Sequence, residues 1–280
     1  MSMPSTIIKP NLAIMPVRDF RFDTPQHKSS YVQEMFNRIA PRYDLMNRLM
    51  TFGRDQSWRK RLIRHAGVSK NALVLDIATG TGDIALSARA AGARGVIGAD
   101  FSGEMLAYAQ RKIQKEKGRS GYIHLAVADG LKLPFPDETF DAVVTGFSLR
   151  NVAHLDAFLR EMVRVTKQGG KVASLEITRP RHPWFRQFFA WYFGKIVPRI
   201  GALVSGQKDA YSYLPHSVAI FVTPEELRVR LEDAGLHHAR FETLMFGSVS
   251  IHTGAKIRAT VTSRITTTNT PPNTISARMR

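Results

Sequence analysis

The stretch Val74-Leu75-Asp76-Ile77-Ala78-Thr79-Gly80-Thr81-Gly82-Asp83 sets two acids and two glycines within a few residues, and Asp100 closes the next apolar run. Glycines at the exit of a strand let the backbone approach a ligand closely. An aspartate ending the following strand can accept hydrogen bonds from both hydroxyls of a ribose. Gly80-x-Gly82-x-x-Ala85 also satisfies the dinucleotide fingerprint, so the glycines alone do not choose the cofactor. Asp83 helps to choose. A pyrophosphate docked at this helix start would face a carboxylate, whereas a sulfonium or ammonium group would not be repelled. This favours S-adenosylmethionine over NAD.

These residues need a frame to hold them. From residue 70 short apolar runs alternate with amphipathic stretches, which predicts a mostly parallel sheet covered on both faces. Strands are expected at 73–77, 96–100, 123–128, 140–145 and 172–177, with helices near 84–91, 103–117 and 155–165. Lys167-Gln168-Gly169-Gly170 reads as a helix-ending turn feeding the fifth strand. Asp76, Asp100 and Asp129 each fall at the carboxyl end of a strand, where such sheets bind ligands. The cofactor site is therefore expected from Asp76, Gly80, Thr81, Gly82, Asp100, Met105, Asp129, Gly130, Gly146 and Phe147. Thr81 is expected to donate to the methionyl portion, Asp100 to hold the ribose and Met105 to pack on adenine. Asp129 is expected to accept from the adenine amine, with Gly146 and Phe147 passing beneath the cofactor.

Residues 1–29 carry prolines and no apolar period, and are expected to form an extended or disordered lead-in. The domain is expected over 30–256: a helical cap at 30–69, the core at 70–178, a lid or substrate segment at 179–222, and a closing helix and hairpin at 223–256. The cap shows helical spacing over 30–39, again from Tyr43 towards Met50, and over 58–66. In the lid, residues 184–193 are densely aromatic, and Lys195 and Arg199 interrupt the apolar run that follows. Thr223-Pro224-Glu225-Glu226 opens a helix with a threonine cap, a proline and two acids. Residues 241–246 and 249–253 suggest a hairpin around Gly247. The segment 257–280, rich in threonine and without acids, is expected to be disordered.

Composition narrows the function. With no cysteine in 280 residues, disulfides, thiolate metal sites and a thiolate nucleophile are excluded. No apolar run reaches the ~18 residues of a membrane span. The first residues hold few basic side chains, so an organelle leader is not expected and a cytoplasmic location is. The net charge is +17, yet 70–178 is close to neutral and the excess sits on its flanks. A basic flank suits RNA or an anionic membrane surface.

Tyr43-Asp44-Leu45-Met46-Asn47-Arg48-Leu49-Met50-Thr51-Phe52-Gly53, running on to Trp58, is more selective than the glycine loop. With Leu149-Arg150-Asn151, Arg164-Val165-Thr166-Lys167-Gln168-Gly169-Gly170, Pro198-Arg199-Ile200-Gly201 and Tyr211-Ser212-Tyr213-Leu214, it resembles the UbiE/COQ5 family over roughly residues 30–256. The resemblance implies a class I, Rossmann-like methyltransferase fold of seven strands with a helical cap and an aromatic helical lid. It also implies S-adenosylmethionine-dependent methylation of a ring carbon in a quinone precursor, such as demethylmenaquinol or a demethyl-benzoquinol. Three departures stand out: Asp55 where the family often has histidine, Ser148 where it usually has glycine, and Thr166 and Gln168 in place of its leucine and proline. The first two sit nearer the substrate side and leave the exact ring open.

Ring methylation is a displacement at the methyl of a sulfonium by a weak carbon nucleophile. Loss of the phenol proton pushes electron density onto the ortho and para carbons, so the site must favour the phenolate and hold the carbon in line. The resemblance implies that Arg150 stabilises the oxyanion, that Asn151 orients it or a water, and that Asp44 accepts the proton. It places Tyr43, Asn47, Tyr211 and Tyr213 around the substrate. The plain alternatives are a helix-capping Asp44, an Arg150 paired with a surface acid, and a lid that only covers the sheet. A polyprenyl tail crosses water poorly, so the aromatic lid and basic flanks suit peripheral docking on the inner face of an anionic membrane. The chain is also open to homodimer formation. Another lipid or phenol, such as a sterol or tocopherol precursor, is the competing substrate class. A nucleic-acid partner is not expected, because Thr145-Gly146-Phe147-Ser148 stands where adenine-N6 enzymes carry Asn/Asp-Pro-Pro-Tyr/Phe. A non-catalytic scaffold would have no need of Asp76, Asp100 and Arg150 together.

Overall fold

A computed structural model describes residues 20–116 and 122–257, so 1–19 of the expected lead-in and 258–280 of the expected tail lie outside the described residues. Three helices lead: α1 (Pro25–Ile39), α2 (Tyr43–Thr51) and α3 (Arg54–His65). The alternating core follows as β1 (Leu73–Ile77), α4 (Asp83–Ala90), β2 (Gly95–Asp100), α5 (Gly103–Lys115), β3 (Ile123–Val127), β4 (Phe140–Gly146), α6 (Leu155–Val165) and β5 (Thr166–Ile177). The lid is α7 (Pro183–Trp191), a π-helical turn over Tyr192–Ile196, α8 (Val197–Ser205) and α9 (Lys208–Ile220). α10 (Pro224–Asp233), β6 (His237–Leu244) and β7 (Val249–Ala255) close the chain.

The sheet order is β3-β2-β1-β4-β5-β7-β6, with β1 to β5 parallel and β7 antiparallel to both neighbours. Strand order reverses between β1 and β4, the place where doubly wound sheets open a ligand crevice. Side-chain alternation along β1 explains the two cores. Val74 joins Leu62 and Ile63 of α3 and Ala85 of α4 on one face, while Leu75 and Ile77 join Phe158 and Met162 of α6 on the other. Burying each large aliphatic side chain contributes roughly 1.5–3 kcal/mol. A third core lies outside the sheet, where Met35 of α1 and Met46 of α2 meet Phe189, Phe193 and Tyr213 of the lid. Cap and lid are thus one packed layer.

Local chemistry sets several boundaries. α1 begins five residues earlier than apolar spacing suggests, because Thr24 accepts from His27 N at 3.1 Å and Pro25 is preset for a first helical position. The expected lead-in is therefore shorter than 1–29. Thr223 and Glu226 form a reciprocal capping box at α10. The turn expected at Lys167–Gly170 is absorbed into β5: the strand starts at Thr166 and loops out before pairing resumes at Lys171 with Ala142. Thr166, standing where the family has leucine, caps the end of α6 by donating to Met162 O at 2.7 Å.

Candidate active site

Two cavities share a wall at the carboxyl edge of the sheet. The larger, about 360 Å³, lies at the β1/β4 switch. Its floor is the turn after β1 (Ala78, Gly80), Asp100 at the end of β2, Asp129-Gly130 after β3 and Gly146-Phe147 after β4. Val32, Gln33 and Phe36 of α1 form the roof. That roof is tied down: Gln33 Nε2 donates to Phe101 O at 2.9 Å, and Ser102 Oγ donates to Asn37 Oδ1 at 2.6 Å. Glycine is required at two floor positions because side chains press from below. A Cβ on Gly130 would stand 2.3 Å from the Phe158 ring, and one on Gly146 would stand 2.5 Å from Ile84 Cδ1.

Asp100 is buried in this wall, with Oδ2 accepting from Gly80 N at 2.8 Å and Oδ1 from Ser102 N at 2.9 Å. Burial pushes its carboxyl up to about 6. Each oxygen keeps acceptor capacity for a ligand hydroxyl. Met105 is fully buried on the same wall, and Asp129 is exposed at the rim, where its Oδ1 accepts from Leu131 N at 2.8 Å. Asp76, Thr81 and Gly82 are not part of the wall. Asp76 sits behind it, fully buried, with Oδ2 accepting from Thr79 Oγ1 at 2.6 Å and Oδ1 left without a partner. Burial raises its carboxyl to about 7.

Thr81 and Asp83 do not take the parts expected of them. Thr81 Oγ1 gives its hydrogen to Asp44 Oδ1 at 2.5 Å and accepts from Lys112 Nζ at 3.1 Å, so its hydroxyl is already engaged. Asp83 is paired with Lys112 Nζ at 2.7 Å and stands 3.8 Å from Arg59 Nε, away from the cavity. Burial alone would raise its carboxyl, but Arg59 and Lys112 outweigh that and hold it low. It therefore faces two cations of its own protein and cannot screen cofactors by charge. Asp44 joins this cluster through Lys112. It is neither a helix cap nor a wall of the second cavity.

The second cavity, about 60 Å³, lies between α1, α2, α9 and the 3-10 turn Leu149–Asn151. Tyr43, Asn47, Arg150, Asn151, Tyr211 and Tyr213 all line it, so the structure brings these six predicted residues together and leaves Asp44 out. Phe36, Tyr43, Phe147 and Asn151 line both cavities. Phe147 adopts a left-handed φ of 60°, a conformation costly for a non-glycine residue and held here by burial. Burial raises the phenols of Tyr43 and Tyr213, the latter to about 12, so both stay neutral.

Arg150 makes a buried ion pair with Glu176, not with a surface acid. Its Nη1 donates to Glu176 and to Phe147 O at 2.7 Å, its backbone N approaches Glu176 Oε2 at 3.3 Å, and its Nε is buried without a partner. Lys28 Nζ braces the turn from α1, donating to Val152 O at 2.8 Å. Sequence reading missed Glu176 and Lys28. An acid near the end of the apolar run 172–177 was the available signal, since a buried carboxylate demands a cationic partner.

The match to known proteins has the same extent as the described fold. The ubiE/COQ5 methyltransferase family profile covers residues 24–256. The chain belongs to the ubiE/COQ5 methyltransferase family. It is 45% identical over 222 residues to a demethylmenaquinone methyltransferase of Thermus thermophilus, covering 79% of this chain and 99% of that one. It is 38% identical over 231 residues to the ubiquinone/menaquinone biosynthesis C-methyltransferase UbiE of Geotalea daltonii, covering 82% and 97%. A SAM-dependent methyltransferase of Aquifex aeolicus shares the fold at a TM-score of 0.53 and 19% identity, over 85% of this chain and 100% of that one. This family member is a methyltransferase, and its cofactor is S-adenosylmethionine. The larger cavity suits that group. It offers a buried carboxylate with spare acceptor capacity, a glycine-lowered floor and the apolar surface of Met105 and Phe101.

Proposed function

We propose that this enzyme methylates a ring carbon of a reduced, prenylated quinone precursor, a demethylmenaquinol or a related demethyl-benzoquinol. The observation that carries this reading is the shared wall: four side chains, Phe36, Tyr43, Phe147 and Asn151, belong to both the nucleoside-sized cavity and the small ring-sized one. A group held in one is therefore presented to a group held in the other. Asp100 would hold the ribose and Asp129 the adenine edge, while Met105 packs against the base. S-adenosylmethionine supplies an electrophilic methyl group. Arg150 lines the smaller cavity and its Nε is an unpartnered donor, suited to stabilise the phenolate that makes the ring carbon nucleophilic. Asn151 sits at the junction, where its amide can orient the ring oxygen. Names of relatives divide between menaquinone and combined ubiquinone/menaquinone roles, so both ring types stay within the proposal. Quinone profiling by mass spectrometry in a strain lacking this gene tests it. Accumulation of a demethylated quinone, reversed by the gene, is expected; an unchanged profile refutes it.

The same enzyme would work from a membrane surface. No helix among the described residues is long and apolar enough to cross a bilayer. Exposed aromatic rings nevertheless gather from three segments: Trp184, Phe188 and Trp191 of α7, Phe52 between α2 and α3, and Phe246 between β6 and β7. Phe52 stacks on Tyr192 at 6.2 Å and Phe246 lies 5.5 Å from Trp184, so the rings adjoin. Exposed Arg186 lies on α7, and exposed Arg54 and Lys195 follow closely in sequence on Phe52 and Trp191. Rings of this kind suit the headgroup region, and cations suit anionic lipid. Co-sedimentation with anionic vesicles, weaker with neutral ones and in high salt, is expected. Equal recovery in the supernatant with both would leave the face as an ordinary cover.

A further inference from the structure

The ring cavity holds one carboxylate that the mechanism above does not use. Among the described residues lining it, Asp55 is the sole acid, and its side chain is 1% exposed. Its partners can be counted. Oδ1 lies 3.1 Å from Thr51 Oγ1, whose single hydrogen is closer to Asn47 O at 2.7 Å; Oδ2 accepts from Gln56 Nε2 at 3.1 Å and from Arg59 Nη1. A carboxylate offers about four acceptor sites. The spare capacity is on Oδ1, the oxygen beside Thr51, which is itself a cavity wall. Arg59 pairs with Asp55 and is held in turn near Asp83. Two other residues of the same cavity wall have buried donors with no acceptor, Arg150 at Nε and Asn47 at Nδ2. The cavity is otherwise mostly apolar, with Met35, Ile39, Met46 and Phe193 among its walls. Arg150 Nε and Asn47 Nδ2 are therefore its buried donors without a partner, and Asp55 is its anionic acceptor.

An apolar ring that satisfies these donors and the Asp55 carboxylate must carry oxygen able to accept and a hydroxyl able to donate. A hydroquinone meets this requirement, since each of its oxygens can do either. An oxidised quinone does not: both oxygens are bare acceptors, and one would face a carboxylate with nothing to donate. We propose that Asp55 is the specificity residue that selects the reduced ring, accepting the O–H of one ring oxygen while Arg150 Nε donates to another. The inference rests on the ring-methylation reading and adds to it a physical basis for rejecting the oxidised substrate. A carboxylate left to face a carbonyl loses a charge-assisted hydrogen bond, which corresponds to a discrimination of about 10- to 150-fold.

The test is a binding measurement, so it does not depend on turnover. The full chain, with S-adenosylhomocysteine present to block transfer, is titrated by calorimetry with 1,4-dihydroxynaphthalene under anaerobic conditions and, separately, with 1,4-naphthoquinone. The chain has no cysteine, so the quinone cannot form thiol adducts. The wild-type protein should bind the diol at least about tenfold more tightly. In Asp55→Asn the amide can donate to a carbonyl, and the ratio should fall to near one or invert. Should that variant fail to fold, Asp55→Glu serves: it keeps the charge for Arg59 but displaces the acceptor by one carbon, and the ratio should again fall. A wild-type ratio near one, or a ratio unchanged in the folded variants, overturns the assignment. Methyl transfer to a hydroquinone by wild type, with the ratio unchanged in the variants, removes only the role of Asp55. No transfer to any hydroquinone removes the function on which that role rests.

Discussion

Protonation of Asp100 should govern cofactor affinity at mildly acidic pH. Both carboxylate oxygens already accept backbone hydrogens, from Gly80 N at 2.8 Å and Ser102 N at 2.9 Å, and burial raises the carboxyl to about 6. A ligand whose hydroxyls donate to this group binds the ionised form, so affinity should be flat above pH 7 and fall below pH 6. The limiting slope is tenfold per unit, or about 1.4 kcal/mol. S-adenosylhomocysteine keeps one charge state from pH 5 to 8 and is the ligand to use, with calorimetry as the assay. Asp76, raised to about 7, lies behind the wall, and any part it takes moves the onset of the fall above pH 7, so a variant must separate the two. In Asp100→Asn the amide nitrogen must face one of the two backbone donors, which removes an acceptor and leaves that donor unsatisfied. Affinity at pH 8 should fall by about 1.5–3 kcal/mol, and the acid limb should flatten. Stability of the ligand-free protein should run the other way. The native state holds this proton more tightly than the unfolded chain, whose carboxyl titrates near 3.8, so Asp100 opposes folding increasingly as pH rises from about 3.8 to about 6. Equal affinity at pH 5 and pH 8, or an Asp100→Asn variant that binds as wild type does, would refute this account of the ribose subsite.

Three further outcomes follow from the geometry. Arg150→Lys keeps a cation against Glu176 but loses Nε, and should lower kcat by roughly 10²–10³ at unchanged cofactor affinity, measured by single-turnover transfer of labelled methyl; wild-type rates would make this arginine structural. Glu176→Ala strands a buried guanidinium and should destabilise the protein by about 3–5 kcal/mol in urea unfolding, whereas loss of an exposed pair such as Arg228–Glu232 should change stability by less than about 1 kcal/mol. Gly146→Ala drives a methyl towards Ile84 Cδ1 and should cost about 1–3 kcal/mol while weakening the cofactor; unchanged binding would show that the floor can move.

The parallel sheet was legible because its strands are near-continuous apolar runs separated by helical spacing, and each of the five expected parallel strands forms. Capping chemistry at Thr223 marked α10 for the same local reason. The cap began earlier than expected because Thr24 and Pro25 set its start, and neither belongs to an apolar period. Residues of the selective motifs meet at one place: Tyr43, Asn47, Arg150 and Tyr213 come from three parts of the chain and line the smaller cavity. What stayed hidden was pairing between distant charges. Lys112 lies 68 residues after Asp44 and takes up the carboxylate expected to serve as base. Glu176 lies on a strand that reads as apolar, yet it fixes Arg150. Asp83 led to the right cofactor by an argument that its ion pairs with Lys112 and Arg59 do not support.

The central claim is methyl transfer to carbon on a reduced ring, and purified protein tests it most directly. The protein is incubated anaerobically with S-adenosylmethionine carrying a deuterated methyl group and with a short-chain demethylmenaquinol or demethyl-benzoquinol, each also in its oxidised form. Mass spectrometry should find one labelled methyl on a ring carbon of the reduced substrate and none on the oxidised one. Label on oxygen, equal label on both redox forms, or no label on either ring would contradict the account.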